Sequence, residues 1–152
     1  MSQEKIKKLK QLSQIIKKLK AKKNKIVFTN GCFDILHFGH VKYLEQAKKK
    51  GHILVDGLNS DTSVKKLKGE NRPIFNQQAR GEVLSALENV DYLTIFNDLT
   101  PLKVIKALKP DILAKGGDWK TDRIVGKDFV ELYGGKVITI PFIKGYSTRS
   151  TI

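Results

Sequence analysis

The sequence predicts an α/β fold: a doubly wound, five-stranded parallel sheet with helices on both faces, preceded by an N-terminal amphipathic helix. Short apolar runs alternate with segments of helical periodicity along the whole chain. Runs such as KIVF (25–28) and DILA (111–114) are apolar at consecutive positions, as strands covered on both faces must be. The 152 residues suit one domain, 1–152, with one sizeable core and no internal repeat or linker.

Ile6, Leu9, Leu12, Ile15, Ile16 and Leu19 recur at helical spacing among lysines, so 3–22 reads as an amphipathic helix, 1–24 packing on the domain as a basic segment. KIVFTN (25–30) reads as the first strand. A helix follows from Gly39 to about Lys50, stopped by Gly51. HILVDGLNS (52–60) is a second strand, and DTSVKKLKGENRP after it reads as a lysine-rich turn. Residues 77–90 are helical, and DYLTIF (91–96) is a third strand. TPLKVIKALKP (100–110) is a helix with proline near its start and just past its end. DILAK (111–115) and GKVITIP (135–141) complete the sheet, with a helix near 122–133 between them.

The net charge is +14, from 29 Lys and Arg against 15 Asp and Glu. Residues 1–25 alone carry ten lysines and one glutamate. Such a surplus attracts anions of any kind, nucleotides and nucleic acid included, but it is also what a solvated helix face looks like. No apolar run approaches the length of a membrane span, and the N-terminus lacks the apolar core of a secretory signal. The one cysteine, Cys32, leaves no internal disulfide and suits a reducing cytoplasm.

In open parallel sheets, ligands bind beyond the carboxyl ends of the strands. The candidate ligand-contacting residues therefore follow the strands: Asn30, Gly31, Cys32, Phe33 and Asp34 after the first, and Asp61 after the second. Gly117, Asp118 and Trp119 follow the fourth, and Ser147 and Thr148 the fifth. Among them, GCFDILHFGH (31–40) carries two of the three histidines. His37 and His40 lie three apart at a helix start and project to one side, where free backbone N–H groups and the helix dipole favour an anion. Gly39 between them lets a phosphate approach the backbone. Imidazole N–H groups there would stabilise charge growing on a phosphoryl group. Two other readings stay open: zinc ligation with Cys32 or Asp34 as further ligands, and plain helix capping. Neither GxGxxG nor GxxxxGK[ST] is present. Cys32 has no recognisable base partner and reads as a small packing residue rather than a nucleophile.

His37-Phe38-Gly39-His40 resembles the HxGH motif of a nucleotidyltransferase superfamily. TNGCFDILHFGHVKYLEQAK, LNSDTSVKKLKGENRPI, ALENVDYLTIF, LKPDILAKGGDW and GYSTRSTI extend the resemblance from about Lys25 to the last residue. Together they resemble D-glycero-β-D-manno-heptose 1-phosphate adenylyltransferases, free-standing or as one half of a bifunctional heptose enzyme. The resemblance implies a Rossmann-like fold and transfer of AMP from ATP to the sugar phosphate, with Mg²⁺, no covalent enzyme intermediate, and a role in lipopolysaccharide heptose supply. It implies that His37 and His40 contact the ATP phosphates, and that Lys66, Lys68 and Arg80 hold phosphates, Lys68 and Arg80 among the catalytic groups. Gly69 after Lys68 suits a loop closing over the anions. Asp118 and Trp119 are expected near the base, and Ser147 and Thr148 at a closing helix that holds phosphate. Asp34 would orient a histidine or bind magnesium-associated water. A cytoplasmic homodimer, bound to neither membrane nor nucleic acid, is the implied form.

Three residues depart from the pattern. Asp56 interrupts the apolar run LVDGL, so it must be paired, protonated or near an edge. Gly81 lies inside a helix, and Arg149 replaces a second threonine. The rival within the superfamily is a cytidylyltransferase acting on glycerol 3-phosphate or another alcohol phosphate; that group has an arginine where this chain has Pro141-Phe142. The rival of another class is a basic nucleic-acid-binding module, supported by the N-terminal lysines alone.

Overall fold

A computed structural model describes residues 2–117, 123–141 and 143. The five apolar runs form β1 (Ile26–Gly31), β2 (Ile53–Asn59), β3 (Tyr92–Phe96), β4 (Ile112–Gly116) and β5 (Lys136–Ile140). They make one sheet in the order β3-β2-β1-β4-β5, and every pair is parallel. The order reverses between β1 and β4, which is the switch point where crevices form in open sheets. β1 pairs with β2 from Ile26↔Ile53 to Gly31↔Leu58.

Because side chains alternate across a strand, this register sends two sets of apolar residues to opposite faces. Ile26, Phe28, Val55 and Leu113 share one layer with Leu12 and Ile16 of helix α1 (Leu9–Ala21) and with Val104 and Ile105 of α5 (Leu102–Leu108). Val27, Leu54, Leu58 and Leu93 share the other with Tyr43 and Leu44 of α2 (Phe38–Lys48) and with Leu84 of α4 (Gln77–Ser85). The doubly wound sandwich of the sequence reading is what forms. α6 (Lys127–Leu132) packs on β4 and β5.

Two elements differ from expectation. The segment read as a lysine-rich turn begins with a helix, α3 (Asp61–Lys68). Ser60 caps it by accepting from the Ser63 N–H at 3.2 Å, Asp61 sits in its first turn, and lysines fill its last. The N-terminal segment is likewise not one continuous helix. A single 3₁₀ turn, Ser2–Lys5, packs on α4, Ile6 bridges Leu93 as a parallel partner, and α1 then starts on the opposite face. The chain thus wraps the open edge of β3. Its lysines behave as a solvated face: Lys10, Lys17 and Lys18 are exposed while Leu12 and Ile16 are buried.

The amino ends of the strands are tied by side chains. Asp111 accepts from the Ile26 N–H and Asp91 from the Leu54 N–H, each at 2.8 Å. His52, the third histidine, accepts from the Lys25 N–H at 2.8 Å. Polar residues at this edge hold backbone, which leaves the opposite edge for chemistry.

Asp56 is completely buried on the interior strand β2, and neither carboxyl oxygen has a hydrogen-bond partner among the described residues. Of the three outcomes the sequence allowed, protonation remains: desolvation pushes its pKa well above the usual carboxylate value. Gly81 lies within α4, and a Cβ there would meet Ile6, Leu58 and Leu93 at 3.5–3.8 Å, ordinary contact distances.

Candidate active site

β1 ends at Gly31, and the chain crosses the sheet's carboxyl edge before entering α2 at Phe38. The turn is tight. Phe33 has φ 45°, and its ring folds back so closely over Gly31 that a Cβ there would lie 2.8 Å from Cε2. Only glycine leaves room for that approach. The ring then meets the His40 imidazole edge-on, centroids 5.4 Å apart.

The two histidines cap α2 reciprocally. His37 Nδ1 accepts from the Gly39 N–H at 3.1 Å, and His40 Nδ1 accepts from the His37 N–H at 3.2 Å. This is a capping box in which imidazoles replace the usual hydroxyl and carboxylate. Its chemistry follows. An Nδ1 that accepts carries no proton, so each neutral ring carries its proton on Nε2. The rings stack at 3.9 Å with 27° between their planes, an arrangement that two imidazolium ions would oppose. Burial holds the His37 pKa below its ordinary value. Burial, then the neighbouring His37 and Lys68, bring His40 down to about 4. At neutral pH the pair is uncharged, with two Nε2–H donors. Capping and anion recognition use different nitrogens of the same rings, so the two readings are compatible. The cap does engage the Gly39 N–H, so the rings, rather than that amide, are the donors here.

The carboxyl ends of β1 and β2 are joined to α3 and α4 by Arg80, whose side chain is wholly buried. Its Nη1 donates to the carbonyls of Cys32 at 2.7 Å and Asn59 at 2.8 Å, and its Nε donates to the Phe75 carbonyl at 2.9 Å. Nη2 donates to Asp61 at 2.9 Å. The guanidinium expected to grip phosphate is thus occupied with holding the walls of the crevice, and Asp61 is its counter-ion. The Asp61 N–H also donates to Gln77 Oε1 at 3.0 Å.

Asp34 is similarly committed. Its carboxylate accepts from the N–H groups of Ile74 and Phe75 at 2.7–2.9 Å and lies 3.8 Å from Arg72. It orients the loop leading into α4 instead of a histidine. The described residues contain no group of three His, Cys, Asp or Glu side chains able to hold a metal ion. With Asp34 and Asp61 engaged and both Nδ1 atoms accepting from backbone, the donor set does not fit a protein-held metal such as zinc, and Mg²⁺ finds no ready cage there.

Lys68, in the last turn of α3, is close enough to influence both His40 and Cys32 electrostatically. Lys66 is exposed on the same turn. Desolvation pushes the Cys32 thiol up, so it stays neutral, consistent with a packing role. Asn30 is half-buried at the end of β1. Gly117, at φ 94°, donates its N–H to the Ile140 carbonyl at 2.9 Å and closes β4 against β5. Asp118, Trp119, Ser147, Thr148 and Arg149 lie outside the described residues. Sequence reasoning overlooked Lys115, half-buried near the end of β4 and in electrostatic reach of Cys32. Its signal was its place in the KGGDW segment directly after a strand. An apolar groove of about 360 Å³ adjoins the crevice, lined by Phe33, Leu36, Phe75 and Val83 among others, and suits no triphosphate.

The bifunctional protein HldE of Geobacter metallireducens is 54% identical to this chain over 151 residues, covering 99% of this chain and 31% of that protein. The bifunctional protein HldE of Campylobacter jejuni subsp. doylei is 53% identical over 146 residues, covering 96% and 31%. The chain thus spans about 31% of the length of these curated relatives. Among solved structures, the lipopolysaccharide core biosynthesis protein of Thermoplasma volcanium superposes with a TM-score of 0.65 at 32% identity, over 82% of this chain and 99% of that one. The pantoate–beta-alanine ligase of Francisella tularensis, complexed with beta-gamma ATP and beta-alanine, shares the fold. Its TM-score is 0.70 at 19% identity, over 96% of this chain and 72% of that one. The cytidylyltransferase-like family profile matches residues 28–148, a span that runs from β1 through the histidine cap to the fifth strand and beyond. On that match and those identities, the chain belongs to the cytidylyltransferase-like family.

Proposed function

We propose that the chain transfers AMP from ATP to D-glycero-β-D-manno-heptose 1-phosphate, releasing pyrophosphate and forming ADP-heptose for lipopolysaccharide heptose supply. An oxygen of the sugar phosphate attacks the α-phosphorus of ATP, the bond to the bridging oxygen of the β-phosphate breaks, and pyrophosphate leaves with that oxygen. The observation that carries this reading is the neutral histidine pair at the head of α2, two Nε2–H donors beside Lys68 at the carboxyl edge of β1. Such donors suit charge that grows on phosphoryl oxygens during transfer, where one is worth roughly 10²–10³ in rate. Arg80 and Asp34 act at one remove, by fixing the walls. Mg²⁺, if it takes part, would come with the triphosphate and supply charge neutralisation, since the described residues offer no cage for it. The choice of sugar is supported by the NSD, LKGENRP and KGGD segments and by the identity to two HldE proteins.

The reading places the reaction in the cytoplasm, where ATP is available; no described helix is long and apolar enough to cross a membrane. The homodimer remains the expected assembly. The test is pyrophosphate release from ATP and from CTP, each with heptose 1-phosphate and with glycerol 3-phosphate. Turnover is expected with ATP and the heptose; turnover with CTP alone would replace this reading by cytidylyl transfer.

A further inference from the structure

Adenylyl transfer brings two anions together, a triphosphate and a phosphomonoester. An in-line displacement puts the attacking and leaving oxygens on opposite sides of the α-phosphorus. One cationic pole therefore cannot serve both reactants. The histidine pair and Lys68 form one pole, on α2 and α3. A second cation stands across the switch point. Lys115 is the penultimate residue of β4, the strand that pairs with β1 where the order reverses. Leu113 lies in the same core layer as Phe28, so alternation along the strands turns Lys115 and Asn30 to that same side at the sheet's carboxyl edge.

Cys32 lies within electrostatic reach of both Lys68 and Lys115, whereas of the two lysines only Lys68 is among the groups acting on His40. The thiol is neutral, so it cancels neither ammonium charge. Burial also weakens the hydration of the ammonium, which makes an incoming dianion a stronger partner.

We propose that Lys115 is the anchor for the phosphate of the acceptor, a sugar phosphomonoester, on the wall of the crevice opposite the histidine corner. The assignment rests on the adenylyl-transfer reading above. A charge-assisted bond to phosphate sets the size of the effect: Lys115→Met should raise the KM for heptose 1-phosphate by about tenfold or more and leave the Kd for ATP within about threefold. Lys115→Arg should restore most of that loss. A second readout on the unmodified chain needs neither turnover nor a variant that folds. Heptose 1-phosphate should shield Lys115 from acetylation by acetic anhydride, read by mass spectrometry, and ATP should not. An unshielded Lys115, or shielding by ATP alone, overturns the anchor. A wild-type chain that shields Lys115 with the sugar phosphate but releases no pyrophosphate upholds the anchor and overturns the transfer reading.

Discussion

Two nitrogens of one ring carry two duties in His37, and the duties can be separated. Asparagine is a strong N-cap, so His37→Asn keeps an acceptor for the Gly39 N–H and loses the Nε2–H donor. Its unfolding free energy should stay within about 0.5 kcal/mol of wild type while kcat falls about 10²-fold. His37→Ala should lose the same activity and about 1 kcal/mol of stability besides. Wild-type turnover in the asparagine variant would reduce the pair to a cap. Asp56 offers a test by pH. Its folded pKa is raised, so between the unfolded value near 3.8 and the folded value the native state binds more protons than the unfolded one. Stability is fully present below pH 4 and falls as pH rises. Asp56→Val removes this liability and should be more stable at pH 7 by about 1 kcal/mol or more. The gap to wild type should widen from pH 4 upward by as much as about 1.4 kcal/mol per unit. A gap that stays constant with pH would mean the carboxyl is ionised in the fold.

Helices α3 and α4 show why a sequence yields its strands more readily than the long-range partners of its side chains. Strand runs and their order along the chain were legible because burial on both faces demands consecutive apolar residues, and the carboxyl edge follows from parallel topology. α3 was missed because Val64 and Leu67 alone supply its apolar spacing, although the Ser60 cap, Asp61 and the terminal lysines spell a helix. Arg80 stands among the groups that the resemblance assigns to phosphate. Its hydrogen bonds go to the nearby Phe75 carbonyl and to acceptors on Cys32, Asn59 and Asp61, 48, 21 and 19 residues away, which no local pattern reveals. This clamp makes α3, and with it Lys68, part of the crevice. Arg80→Met leaves three carbonyls without their donor and should cost about 3 kcal/mol or more in chemical denaturation. Arg80→Lys should recover little, since a point-charge ammonium cannot reproduce a planar fork. Full recovery by lysine would show that charge alone, and not the fork geometry, matters at this position.

Across the whole molecule the charge surplus and the candidate site occupy different places. The lysine-rich N-terminal segment wraps the β3 edge, while the crevice opens at the carboxyl ends of β1 and β4. An unpaired strand edge invites pairing with another chain, and here it is blunted by covering. Ile6 bridges Leu93, the Lys7 N–H donates to the Leu93 carbonyl at 2.9 Å, and Lys5 Nζ donates to the Leu87 carbonyl at 3.0 Å, just past the end of α4. Removing residues 2–7 deletes these ties but keeps α1 and its buried Leu12 and Ile16. At about 1 kcal/mol per hydrogen bond and about 1.5 kcal/mol for a partly buried isoleucine, the truncated chain should lose roughly 2–4 kcal/mol. With the β3 edge uncovered, it should also self-associate as concentration rises, which light scattering at matched concentrations would detect. Its kcat per folded molecule should match the full chain, because the ties described for Lys5, Ile6 and Lys7 go to α4 and β3 and their surroundings and not to the histidine corner. Lost turnover at unchanged stability would instead assign the N-terminal lysines to substrate binding, and the wrapping of the β3 edge would then be secondary to that role.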